Sequence, residues 1–96
     1  MTQDAEHEQL IKAGRRIRAA REGRGLNLHE LARLSGISAS ALSLIETGQR
    51  DLRLTTLYRI ADALRVGAAD LLEDQEEEVP QPAVDRRGGY DLGDYT

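Results

Sequence analysis

Ninety-six residues with a formal charge of −4 allow one small domain. The chain has no Cys, Phe or Trp, which excludes disulfides and thiolate metal sites and leaves the core to Leu, Ile, Val and Ala, a set that suits packed helices. The acidic, polar residues 1–9 do not read as a signal peptide, and no apolar run approaches the roughly 20 residues that span a bilayer, so a cytoplasmic protein is expected.

Residues 1–7 read as a flexible arm. A first helix is expected over about 8–22, where Leu10, Ala13, Ile17 and Ala20 recur at steps of three and four as one apolar stripe. Lys12, Arg15, Arg16 and Arg18 take much of the remaining surface, and Gly23 and Gly25 end the helix. Asn27 is a good N-cap for a second helix, with Glu30 in the capping-box position three residues on. That helix runs to about Leu34 and buries Leu31 and Ala32. Gly36 makes a tight turn, and Ile37 plugs the core behind it. Ser38 caps a third helix, from Ala39 to Glu46 or Thr47, which Gly48 stops. A polar loop over 49–53 leads to a fourth helix at about 54–64, with Leu57, Ile60, Ala61 and Leu64 inward. Its start is poorly capped, because Arg53 has no acceptor for backbone N–H groups. A short fifth helix at about 68–73 carries Leu71 and Leu72. From residue 74 the glutamates, prolines and glycines bury too little apolar surface to fold, so 74–96 reads as a disordered acidic tail that ends in the anchor segment Tyr90-Asp91-Leu92-Gly93-Asp94-Tyr95.

Two short helices joined by a glycine turn are the layout of a helix-turn-helix, whose second helix enters the DNA major groove. The chain resembles the Cro/C1-type, or Xre-family, helix-turn-helix of bacterial and phage repressors. The resemblance is carried by Arg16, Ile17, Arg18 and Arg21, by Leu31 and Ala32, and by the turn Ser35, Gly36, Ile37, Ser38. It continues in Leu42, Ser43, Ile45, Glu46 and Gly48, then in Thr56, Leu57, Ile60, Ala61, Ala63, Leu64 and Val66. It implies an all-α, compact five-helix, lambda-repressor-like domain over 8–73 that binds a palindromic operator as a homodimer and works at the nucleoid. It also implies an ion pair between Arg21 and Glu46 that ties the first helix to the third, and dimerisation near the fourth and fifth helices. Val66, Leu71 and Leu72 are the residues concerned; they either seal the core or form the dimer seam. Three departures stand out, one of them a third helix without the Gln or Arg that many members use for bidentate base readout. Where the family often has Thr-Gln at the start of the second helix, this chain has Asn27 and Leu28, and Leu28 cannot hold a phosphate. Where a Pro-Ser often precedes the fourth helix, it has Leu52 and Arg53.

The charge distribution fits such a role better than the total does. Residues 10–66 carry eleven basic and five acidic side chains, a balance of +6, between acidic ends. Helix geometry puts Ser40, Ser43, Leu44 and Thr47 on one face of the third helix, with Ala39 at its tip, and these are the expected base readers. Hydroxyls serve any base edge, and Leu44 or Ala39 suits a thymine methyl. Arg24, Asn27, Ser38, Arg50 and Arg53 are the expected phosphate contacts, Ser38 at a helix N-terminus that itself favours anions.

No cofactor is implied. His7 and His29 each have a glutamate nearby, but no third ligand clusters at metal spacing. No nucleophile–base pair, carboxylate dyad or phosphate-cradling glycine loop stands out, so an enzyme is not expected. The reading is a sequence-specific, DNA-binding transcriptional regulator, most simply a dimeric repressor. The alternative is an antitoxin-like or adaptor protein whose tail binds a protein partner while the helix-turn-helix serves autoregulation.

Overall fold

Caps and glycines divide the chain into helices. In the computed structural model, which describes residues 3–73, these are α1 (Gln3–Gly23), α2 (Leu28–Ser35), α3 (Ala39–Glu46), α4 (Leu54–Leu64) and α5 (Ala68–Leu72), with no strand among the described residues. The acidic tail expected over 74–96 lies outside the described residues. None of the helices is long and apolar enough to cross a membrane.

The α2 boundaries follow from local chemistry. Asn27 Oδ1 accepts from the Glu30 backbone N–H at 2.8 Å, and Glu30 Oε1 accepts from the Asn27 N–H at 2.8 Å, which closes the capping box. Gly36 ends α2 at φ 75°, a left-handed conformation that a side chain would strain. Ser38 Oγ then accepts from the Ala41 N–H at 3.1 Å and opens α3 within two residues of the turn. At the start of α4, Arg53 makes no side-chain cap bond, as its chemistry dictates. Its far end is closed by Arg65, the one non-glycine residue with positive φ (62°) among those described. Asp70 Oδ2 accepts from the Gly67 N–H at 3.0 Å at the start of α5.

The core lies where all five helices meet. Ile17, Leu31, Leu42, Ile60, Leu64 and Leu71 are its fully enclosed members. α1 packs against α3, α4 and α5; α2 packs against α3 and α4. Ile37 packs against this core half-buried, as expected of the residue behind the turn.

Two expectations need correction. α1 starts at Gln3, so the arm expected over 1–7 is helical from its third residue. No apolar stripe marks those first turns. Charge favours the helix there instead, because Asp4 and Glu6 sit at the positive end of its dipole. Leu71 is 2% exposed and belongs to the core, so a residue enclosed by its own chain is no dimer contact. The neighbouring Leu72 is 51% exposed and Val66 is half-buried. Both retain surface for a partner.

Candidate nucleic-acid interface

α3 has two unlike sides. Leu42 and Ile45 enter the core, and Glu46 is buried with them. Ser40, Ser43, Leu44 and Thr47 are exposed, and Ala39 at the tip is half-buried. The division follows from helical spacing, since positions three and four apart share a face.

The buried side is held from α1. Arg21 Nε donates to Glu46 Oε2 at 2.7 Å and Nη2 donates to Glu46 Oε1 at 3.0 Å, a bidentate pair of two buried side chains. The remaining nitrogen, Nη1, donates to the Leu26 carbonyl at 2.9 Å, so the same guanidinium also fastens the chain that leads into α2. These bonds to Glu46 raise the Arg21 pKa against the opposing effect of burial, and the Glu46 and Glu22 charges add to the rise.

Close backbone approach holds the same end of α3. A Cβ on Gly14 would lie 2.5 Å from the carbonyl oxygens of both Ile45 and Glu46, so only glycine lets α1 pass there. Gly48, at φ 76°, faces Ile11 so closely that a Cβ would lie 2.6 Å from its Cγ1. Gly14 was not among the residues singled out from sequence. Its signal was a lone glycine inside an otherwise continuous helical pattern.

Thr47 is exposed but already engaged. Its Oγ1 donates to the Ser43 carbonyl at 2.9 Å, with the Leu44 carbonyl at 3.3 Å, and accepts from Gln49 Nε2 at 2.9 Å. Its hydroxyl proton is used within the chain, so toward an outside partner it offers its methyl group and one remaining lone pair. Gln49, which sequence reasoning passed over, is exposed in the following loop beside this face.

The expected phosphate contacts are all exposed: Arg24, Asn27, Ser38, Arg50 and Arg53. Asn27 Oδ1 and the Ser38 Oγ lone pair are committed to their caps, so each has only its N–H or O–H left for an anion. Arg50 and Arg53 come together, with Asp51 between them in sequence, around a hollow of about 220 Å³ lined also by Ile37, Ala41, Ile45 and Thr56. Two exposed apolar residues outside this face were also missed from sequence. Leu54 and Tyr58 lie one turn apart on α4, and Leu54 shares a groove with Leu72.

The family model described as Helix-turn-helix matches residues 17–71. The chain is similar to the HTH-type transcriptional repressor RghR of Bacillus subtilis (strain 168), with 41% identity over 54 residues, 55% of this chain and 40% of RghR. It therefore spans well under half the length of that relative. Among solved structures it resembles the restriction-modification controller protein C.AhdI from Aeromonas hydrophila. The TM-score is 0.64 and the identity 37%, over 65% of this chain and 94% of that one. It also resembles the DNA-binding domain of BldD, with a TM-score of 0.63 and 29% identity over 69% of this chain and 96% of the other.

Proposed function

The chain belongs to the Cro/C1-type helix-turn-helix family of transcriptional regulators, and on that premise we propose that it is a sequence-specific dimeric repressor that inserts α3 into the major groove of a palindromic operator. The observation that carries this reading is the division of α3. The side with Leu42, Ile45 and Glu46 is held by core and ion pair, while Ser40, Ser43 and Leu44 are exposed on the other side and lie outside the core. A helix fixed on one side and unoccupied on the other suits a groove about 12 Å wide. Arg24, Arg50 and Arg53 supply the flanking phosphate contacts that set register without reading sequence. The dimer seam of this reading is Val66 and Leu72, extended by the exposed Leu54 and Tyr58.

Selection of bound sequences from random duplex DNA tests it, at near-physiological salt. The expected result is an enriched palindrome with half-sites about one DNA turn apart, whose binding changes with Ser40→Arg and Leu44→Ala. No enrichment, or only weak and strongly salt-sensitive binding, overturns it in favour of a partner-dependent adaptor.

A further inference from the structure

We propose that α3 discriminates bases chiefly by the C5-methyl group in the major groove, so that thymine and 5-methylcytosine satisfy it at the contacted position while deoxyuridine and unmodified cytosine do not. This rests on the major-groove reading above and specifies its ligand chemistry.

The first argument is the chemistry that faces outward. Guanine is read by the fork of Arg or Lys, and adenine by the amide of Asn or Gln. No residue of α3 between Ala39 and Glu46 carries either group. The nearest planar amide, Gln49, lies in the loop beyond the end of α3 and spends one of its two N–H groups on Thr47 Oγ1. Thr47 in turn gives its hydroxyl proton to the Ser43 carbonyl and one lone pair to Gln49, so it has no donor left for a base. Ser40 and Ser43 remain, and serine hydroxyls serve either base edge.

The second argument is Leu44. The other large apolar residues of α3, Leu42 and Ile45, are buried, whereas Leu44 is 38% exposed on the outward face. A leucine there finds one apolar complement on the floor of the major groove, a methyl at C5 of a pyrimidine. Thymine and 5-methylcytosine present that methyl in the same place. The Thr47 methyl, left over once its hydroxyl is engaged, adds a second apolar group one helical turn from Ser43 and Leu44.

The test uses the full chain and the operator recovered by selection. Each thymine of one half-site is replaced singly by deoxyuridine, which removes the methyl and keeps the pairing edge. The expected result is a loss of about fourfold in affinity at one or two positions, the transfer value of one methyl-sized group. At the same positions, a 5-methylcytosine·guanine pair should bind more tightly than a cytosine·guanine pair by a similar factor. Leu44→Ala should abolish the uracil penalty at its position, and because Leu44 lies outside the core the variant should keep its helical content. A uracil scan that changes nothing overturns the proposal and leaves the operator reading standing. So does an undiminished uracil penalty in the Leu44→Ala protein, or a half-site with no thymine. Failure to enrich any site removes both.

Discussion

At the scale of single residues, the attachment of α3 depends on a few groups that cannot be changed one at a time without cost. Removing one partner of the Arg21–Glu46 pair strands a buried charge, so Glu46→Ala should cost about 3–5 kcal/mol in urea unfolding. Replacing both with apolar residues of similar volume should recover most of that loss. Because the pair raises Arg21, the charge it stabilises is present at every pH below the ordinary arginine value and is lost only as pH climbs through the raised one. Arg21 therefore adds no pH dependence near neutrality. Two glycines of α1 make a controlled comparison. Gly14→Ala forces a Cβ against two backbone carbonyls and should weaken both stability and operator affinity. Gly23→Ala meets nothing within 4 Å and should be neutral or stabilising by up to about 1 kcal/mol. The ion pair was legible through the family pattern, in which Arg21 and Glu46 stand at matching positions. The function of Gly14 was not, because the approach of one helix to another leaves no mark in local periodicity.

At the scale of elements, the capping chemistry makes α2 and α3 legible in the sequence. Asn27, Glu30, Gly36 and Ser38 each occupy the position their residue type implies. The start of α1 was not readable, since residues 3–9 offer an acidic first turn but no apolar stripe, and periodicity was the signal in use. Leu71 and Leu72 illustrate the same limit: adjacent leucines in a five-residue helix give no phase with which to tell core from surface. α4 provides a test that separates fold from function. Arg53→Ser would supply the missing N-cap and should raise stability by about 0.5–1 kcal/mol. The same change removes a cation from the proposed phosphate contacts, so operator affinity should fall while the melting temperature rises.

At the scale of the whole molecule, the question is how two copies would meet. If Val66, Leu72, Leu54 and Tyr58 form the seam, Tyr58→Glu and Leu72→Glu should shift sedimentation from dimer to monomer. They should weaken binding to the palindrome and leave binding to an isolated half-site unchanged. Leu71→Ala should act differently, lowering stability by about 2–5 kcal/mol, because its side chain fills the core of a single copy. Each of Arg24, Arg50 and Arg53 that contacts a phosphate should, when changed to Ala, reduce the salt slope of binding by about 0.9. The two-sided α3 has a further consequence, for how such a protein diversifies. Its outward positions, Ser40, Ser43 and Leu44, belong neither to the core nor to the ion pair that anchor the helix, so rewriting them should cost little stability. Duplicated copies of this domain could then acquire different operators by a handful of substitutions and inherit the scaffold unchanged.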